Sequence, residues 1–579
     1  MQQSLLKTLS TFQGKMKIAD FANLFAACSA WAYLTVSKRL DEQQAFDGNA
    51  SLLKLEQVLN DCVTIHFNPE QWKISDSDLA SLTDSLCQLL KSNVLKASDL
   101  ARAFSEMLEM DAGHHTIPEE LCELVLKLLP TDINSVYCPF EKGADFAKRL
   151  PTTVEAVVET PAEDDLFYTD IQALLNEKEI RSCESDPIAS PYFTADGGLR
   201  KFEAALAMPP FGLKMKNEPK GDIWSRFPEK SLTSEVYFLR HMLSQTDNLA
   251  ICIVASSFLF RTAAGEKQFK QSVISNNWLK AVIALPEKLL SHTQIPLNIL
   301  IFDKNKSDSA IQFIDASGEE FYTKKSRTRN LLCNIDAIIA AYGEPGDSTI
   351  SSRNSADNIS VSEFNLSPSR YVKSEEDRKL ESFLSKFTTR KLSEIAEIVR
   401  PQAIKHDELG TINLSEYGLS DLNEIGELTG LGKKIKILPN EERKAKKQMI
   451  KPNDLLVVCR GAVGTVGIAG TNIPDTSLAN QAFAIVRLKR DIGGINADAL
   501  FQYLSSDFGQ YQLKSLATGT TALMLASKDL DNISVPLFSE EQLKVVTNSR
   551  SEARCKFAEI EKLKRELGKI STSWIADMN

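Results

Sequence analysis

The stretch Phe202-Glu203-Ala204-Ala205-Leu206-Ala207-Met208-Pro209-Pro210-Phe211-Gly212 decides how this chain is read. Its first half is small and apolar, long enough for one buried strand, and it ends in a Pro-Pro corner followed by an aromatic residue and a glycine. Proline fixes φ and has no N–H, so a double proline past a strand end holds carbonyl oxygens in set directions. Such a corner can form one wall of a pocket for a flat, hydrogen-bonding ring. Taken alone, the same residues also describe a strand that leaves a sheet through a stiffened loop.

On both sides of this stretch, short apolar runs alternate with amphipathic segments. Strands are expected at 135–140, 154–160, 202–208, 249–255, 279–285, 297–302 and 311–314, with helices at 164–177, 234–243 and 266–274. That alternation implies an α/β fold with a mostly parallel sheet covered on both faces. Ligands of such folds bind outside the carboxyl ends of the strands. Tyr137-Cys138-Pro139-Phe140 and Met208-Pro209-Pro210-Phe211 both fall at that edge, which suggests one shared crevice.

The flanks read differently. Residues 1–130 are expected to be a helical domain, with apolar residues at helical spacing in 24–34, 79–90 and 118–129. The α/β core is expected over 131–342, and a segment rich in Gly, Ser, Asn and Asp at 343–357 reads as a linker within 343–386. A third, α+β domain is expected over 387–539, with β-type runs at 454–459, 465–468 and 482–488 punctuated by Gly461, Gly464, Gly467 and Gly470. Residues 540–579 read as a long amphipathic helix and a tail, with Leu543, Val546, Phe557, Ile560, Leu563 and Leu567 at roughly helical spacing. Such a helix can pair with another.

At 579 residues the chain exceeds what one core can hold. Its 43% hydrophobic and 25% charged residues are ordinary for soluble protein, and its longest apolar run, 249–255, is too short to span a bilayer. No signal pattern opens it, so a cytoplasmic protein without a membrane partner is expected. Ten cysteines without CxxC pairs indicate neither a zinc site nor a disulfide framework, and no metal is expected. The net charge of −10 excludes a chain coated in basic charge, yet leaves room for a local nucleic-acid patch.

The order of the motifs resembles a known family. Residues from about 20 to 372 resemble the modification subunit of type I restriction–modification systems, an adenine-N6 DNA methyltransferase that uses S-adenosylmethionine. The family's Gly-x-x-x-Thr-Pro turn corresponds to Gly113-His114-His115-Thr116-Ile117-Pro118, and its glycine-rich cofactor loop to Cys138-Pro139-Phe140-Glu141-Lys142-Gly143-Ala144-Asp145-Phe146. The acidic residue after the second strand corresponds to Glu159, and the catalytic Asn-Pro-Pro-Phe to Met208-Pro209-Pro210-Phe211. Further matches are Ala284-Leu285-Pro286-Glu287, Thr293-Gln294-Ile295-Pro296 and Asn365-Leu366-Ser367-Pro368-Ser369-Arg370-Tyr371. From 387 onward the chain resembles one target-recognition domain of the companion specificity subunit, marked by Lys451-Pro452-Asn453-Asp454, Arg460-Gly461-Ala462-Val463-Gly464 and Ala517-Thr518-Gly519-Thr520-Thr521. The helix from 540 resembles that subunit's spacer.

The resemblance implies a Rossmann-like methyltransferase core, S-adenosylmethionine at Gly113, Pro118, Cys138, Gly143 and Glu159, and an adenine flipped out of the duplex at Met208, Pro209, Pro210 and Phe211. Several of these positions depart from the pattern. In the family the asparagine amide accepts from the adenine amino group, whereas Met208 offers only a thioether, a poor acceptor. Losing one such preorganised contact costs about 10²–10³ in rate. Lys142, Ala144 and Asp145 stand where the cofactor loop has glycines, Cys138 replaces its leading carboxylate, and Ile117 separates Thr116 from Pro118. The expectation is a degenerate methyltransferase in which binding of S-adenosylmethionine is in doubt; a working methyltransferase with a divergent pocket is the alternative, and a pure protein scaffold a third reading.

Double-stranded DNA is the partner the resemblance implies. Residues 432–451 carry Lys433, Lys434, Lys436, Arg443, Lys444, Lys446 and Lys447 against Glu441 and Glu442, which reads as a phosphate-contacting loop, with Arg460, Gly519 and Thr520 as further contacts. One recognition domain with one spacer helix is half of the family's reader, so a homodimer through 540–570 is expected, in an assembly with restriction, nuclease or helicase subunits acting in anti-phage defence.

Overall fold

The structure, a computed structural model, describes residues 17–62, 74–109, 116–215, 219, 221–291, 293–344, 346–373, 375–490, 492–517 and 524–573. It divides into two compact units, Met1–Val372 and Lys373–Asn579.

The first unit is built on a nine-stranded sheet. In chain order its strands are β1 (Ser135–Pro139), β2 (Glu155–Thr160), β3 (Ile180–Glu184), β4 (Phe202–Ala207), β5 (Thr246–Ala255), β6 (Leu279–Ala284), β7 (Leu297–Asp303), β8 (Ile311–Asp315) and β9 (Ser351–Asn354). Their spatial order is β9-β8-β6-β7-β5-β4-β1-β2-β3. The central strands are apolar on both sides. Leu249, Ile251 and Ile253 of β5 enter one core cluster while Ala250, Cys252 and Val254 enter the other, and Ile299 and Ile301 of β7 likewise oppose Leu300 and Phe302. Strands buried on both faces therefore read as continuous apolar runs.

The sheet is mostly parallel, as expected, with two exceptions. β7 runs antiparallel to both β5 and β6, and β9 antiparallel to β8. No helix lies between β6 and β7, so the connection cannot make the crossover that a parallel pair needs. β9 corrects the linker reading of 343–357. Its Ser351 and Ser352 are buried, and Gln312 of β8 donates to Ser351 Oγ at 2.9 Å and to the Ala341 carbonyl at 2.7 Å. A polar edge strand whose side chains find partners has the composition of a loop. β3, with no fully buried residue, was also absent from the expected strands.

Helix α1 (Ile18–Val36) is buried on almost every side from Ala22 to Leu34 and packs against α2 (Asp76–Lys91) and α3 (Ala97–Glu109). The same cluster takes in Phe167, Tyr168, Ile171 and Leu175 of α5 (Glu163–Leu175), the crossover between β2 and β3, so the N-terminal helices are seated on the sheet's own helix layer. Helix α4 (Glu119–Lys127) precedes β1, and α6 (Glu235–Ser244) precedes β5.

In the second unit, β10 (Ala396–Val399), β13 (Leu455–Val458), β14 (Val466–Ile468) and β16 (Phe483–Leu488) form a sheet of order β10-β16-β13-β14. A second sheet has β11 (Ile412–Tyr417) at its centre, with β12 (Lys433–Ile437) antiparallel on one side and β15 (Ser477–Ala479) parallel on the other. Helix α7 (Glu442–Lys447) follows β12, α8 (Ala497–Ser505) follows β16, and α9 (Glu540–Ser573) closes the chain as expected. Leu543 and Val546 of α9 pack on the core of this unit, and Arg554 pairs with Asp498 at 3.1 Å.

Candidate functional site

β1 and β4 are parallel neighbours, with Val136 opposite Ala204 and Tyr137 opposite Ala205. From β1 the chain turns outward to β2 and β3, and from β4 it turns the other way to β5. The strand order thus reverses between them, at the topological switch point where open α/β sheets bind ligands. The loop after β1 and the corner after β4 line one cavity of about 250 Å³, to which Ile117, Leu290, Thr293 and Ile295 contribute.

On the corner side, Met208 and Phe211 are half-buried against the sheet core and Pro209 is buried. Gly212 has φ of +66°, a conformation that glycine adopts without strain, and its N–H donates to the buried Glu235 at 2.9 Å. Met208 presents no amide to the cavity.

On the loop side, Phe140, Gly143 and Ala144 have φ of +65°, +127° and +53°. The loop is closed by its own side chains. Asp145 accepts from the Ile117 N–H at 2.8 Å and pairs with Lys148 at 2.9 Å, with both side chains under 10% exposed. Lys148 also reaches the Gly143 carbonyl at 3.4 Å. Glu141 accepts from the Phe146 N–H through Oε1, while its buried Oε2 has no hydrogen-bond partner. Burial, reinforced by Asp145, raises its carboxyl to about 8, so it carries a proton at neutral pH. Burial and Glu141 likewise hold the Cys138 thiol well above its ordinary value.

Glu159 lies at the end of β2 with no exposed surface. Its Oε2 accepts from the Tyr137 hydroxyl at 2.5 Å and its Oε1 from the Tyr192 N–H at 2.8 Å. The Tyr137 oxygen lies 2.8 Å from His241 Nε2, and Arg226 lies 2.8 Å from His241 Nδ1. Burial and Arg226 push His241 well below its ordinary range, so the ring is neutral. A neutral ring that accepts from Arg226 at Nδ1 donates from Nε2 to Tyr137, which in turn donates to Glu159. Arg226 completes its own bonding with Asp222 at 2.7 Å and the carbonyls of Pro187 and Ile188.

Of the expected cofactor residues, Pro118 caps α4, and Cys138, Gly143 and Glu159 lie around the loop as described, while Gly113 lies outside the described residues. Gly519 and Thr520 lie outside them too. The basic segment is corrected from a loop to a strand and a helix, because Ile435 and Ile437 of β12 bury one face of the strand and Ala445 anchors α7. Lys433, Lys434 and Lys436 are exposed on β12, and Lys434 donates to Ser415 at 2.8 Å. Lys444 of α7 donates to the Ala403 carbonyl and Lys446 pairs with Glu442 at 2.6 Å. Arg443, Lys447 and Arg460 are exposed. Among the described residues, no group of three or more His, Cys, Asp or Glu could hold a metal, and no helix is long and apolar enough to cross a membrane.

Residues 171–380 match the N-6 DNA Methylase family, and residues 385–547 match the type I restriction modification DNA specificity domain. This chain joins an N-6 DNA methylase domain to a type I specificity domain. The methylase match takes in the corner at 208–211 but begins after the loop at 138–146 and after Glu159.

Similar curated proteins are the type I restriction enzyme MpnII methylase subunit of Mycoplasma pneumoniae, 27% identical over 31% of this chain and 34% of that protein, and the MjaVIII methylase subunit of Methanocaldococcus jannaschii, 28% identical over 29% and 32%. The chain thus spans about a third of the length of the curated relatives it matches. Among solved structures, the type I methyltransferase subunit from Streptococcus thermophilus has a TM-score of 0.55 at 16% identity, covering 64% of this chain and 98% of that one. The type IIG restriction endonuclease BpuSI has a TM-score of 0.50 at 12% identity, covering 95% and 74%. At these identities the likeness is one of fold.

Sequence reasoning did not single out Glu141, Lys148, Tyr137, His241 or Arg226 as a set. Tyr137 and His241 are 104 residues apart, and only the packing of α6 brings them together.

Glu141 gives the site a pH signature. Its folded value of about 8 lies above the ordinary 4.5, so its contribution to stability is complete below the ordinary value and is lost as pH rises through about 8. Glu141→Gln removes this titration. The melting temperature of the native chain relative to the variant should fall by a few degrees between mildly acidic and mildly alkaline pH; a constant gap across that range contradicts the assignment.

Proposed function

We propose that this chain is a DNA-recognition protein of the restriction–modification type whose methyltransferase unit no longer transfers methyl groups. In this reading it works within a larger assembly, with nuclease or helicase subunits, in defence against foreign DNA. The observation that carries the proposal is the closure of the cofactor side of the crevice. S-adenosylmethionine, the cofactor the family implies, needs an acidic residue free to accept from its ribose and a loop open to its close approach. Glu159 has no exposed surface and both of its oxygens are engaged. In the loop, Asp145 is engaged by the Ile117 N–H and by Lys148 rather than free for a ligand. The residues present do not fit the cofactor. What remains open is the corner cavity, where Phe211 and the Pro-Pro turn can hold a flat base beside the protonated Glu141.

Isothermal titration with S-adenosylmethionine should show no binding at micromolar concentration, and a tritiated-methyl assay on mixed-sequence DNA no incorporation. Binding together with incorporation would establish the alternative, a working adenine-N6 methyltransferase.

In the second unit, the cations of β12 and α7 form the proposed phosphate-contacting surface. Lys433, Lys436, Arg443 and Lys447 make no ion pair among the described residues, so their charge is available to a polyanion. Replacing Arg443 and Lys447 of α7 by Ala should flatten the salt dependence of duplex binding by about two in log–log slope. An unchanged slope removes this surface from the interface.

The partner of α9 is proposed to be a second copy of the chain. Ile560, Leu563 and Leu567 are 45%, 57% and 67% exposed along one side of the helix, an apolar stripe with the spacing of a coiled-coil seam. Leu563→Asp combined with Leu567→Asp should convert a dimer to a monomer in sedimentation; an unaltered mass excludes this seam.

A further inference from the structure

The methyltransferase-like unit carries a charged feature that none of these assignments uses. Tyr322–Lys324 and Asn330–Leu332 pair as a short antiparallel hairpin, with Tyr322 opposite Leu332 and Lys324 opposite Asn330. Its tip reads Thr323-Lys324-Lys325-Ser326-Arg327-Thr328, every residue of which is exposed. Lys324 and Arg327 make no ion pair among the described residues, although the chain as a whole has a net charge of −10, and Lys325 is partly offset by the nearby Glu109. The next cation is treated differently. Arg329 is 6% exposed and pairs with Glu120 at 3.0 Å.

The tip is preorganised. The N–H groups of Lys325 and Ser326 both donate to the Arg329 carbonyl at 3.0 Å, and the Thr328 N–H donates to Ser326 Oγ at 3.2 Å. Its root is tied to the functional edge of the sheet. The Asn330 N–H donates to the Lys288 carbonyl at 2.8 Å and its side chain to the Glu287 carbonyl at 2.9 Å. Leu290, two residues beyond Lys288, lines the corner cavity. The hairpin therefore stands on the same edge of the sheet as the Pro-Pro-Phe corner.

We propose that this hairpin is a second DNA-backbone contact, made by the methyltransferase-like unit itself. The inference rests on the DNA-binding reading given above. Three exposed cations on a rigid turn, of which Lys324 and Arg327 have no counter-charge in contact, are interleaved with the small hydroxyl side chains of Thr323, Ser326 and Thr328 and suit phosphate oxygens. The tip has no aromatic or aliphatic residue that could anchor a protein interface, so duplex DNA is favoured over an acidic protein partner. A duplex whose base visits the corner would run its backbone along the hairpin, which would contribute position and affinity but no sequence preference.

The test is fluorescence anisotropy of the full chain with a mixed-sequence duplex across a salt series. Each lost phosphate contact lowers the log–log slope by about 0.9, so the triple variant Lys324→Ala, Lys325→Ala, Arg327→Ala should lose about two to three, and Arg327→Ala alone about one. The ranking of target sequences should not change. Arg327→Lys, which keeps the charge, should retain the native slope. If the native chain binds duplex and the α7 variant flattens the slope while the hairpin variants do not, this inference fails and the DNA reading stands. If the native chain binds no duplex, the DNA reading itself fails. Tighter binding of polyglutamate than of duplex, lost in the hairpin variant, would overturn the choice of DNA as partner.

Discussion

A carboxylate with no exposed surface is the constraint around which the first unit is assembled. Burying such a group costs several kcal/mol unless its oxygens are met by donors. Glu159 is met by the Tyr137 hydroxyl and the Tyr192 N–H, and the donor chain continues through His241 to Arg226. Those residues come from β1, β2, α6 and the loops that flank them, so satisfying one carboxylate sets the spacing of the elements that frame the switch point. In the family that this chain resembles, the acidic residue after the second strand faces the cofactor. Here it faces inward. In this structure both of its oxygens are met by protein donors.

The loop after β1 follows the same logic on a smaller scale. Lys142, Ala144 and Asp145 occupy positions at which the resemblance expects glycine. Side chains at those positions have to go somewhere, and Asp145 turns inward to the Ile117 N–H and to Lys148. An ion pair this deeply buried contributes little net stability compared with an apolar pair, but removing either partner would strand the other charge. The pair therefore keeps the loop shut once it has formed. Glu141 beside it avoids the same penalty by holding its proton.

What could be read in the sequence divides along physical lines. Strands buried on both faces, such as β5 and β7, announce themselves as unbroken apolar runs, and the strand-end corners follow from proline and glycine chemistry. The same reasoning failed where burial is one-sided or polar. β9 is written in Ser, Arg and Asn, β3 is half-exposed, and β12 is hidden in a run of lysines because only Ile435 and Ile437 face inward. Met208 and the loop after β1 could be found by motif order. The partners that engage Glu159 could not, because Arg226 and His241 lie far along the chain and nothing local marks either as part of a site.

The charge distribution ties these observations together. A chain of net charge −10 repels a polyanion at long range, so binding DNA requires that cations be concentrated and left unpaired where contact occurs. Some basic side chains are consumed internally, as Lys148, Arg226 and Arg329 are. Lys433, Lys436, Arg443 and Lys447 in one unit, and Lys324 and Arg327 of the hairpin tip in the other, make no such pair among the described residues. A unit that served only as a structural platform would have no physical need to hold exposed cations on a rigid turn at the edge of the sheet that carries the Pro-Pro-Phe corner. Their placement there fits the proposed contact with a nucleic-acid backbone.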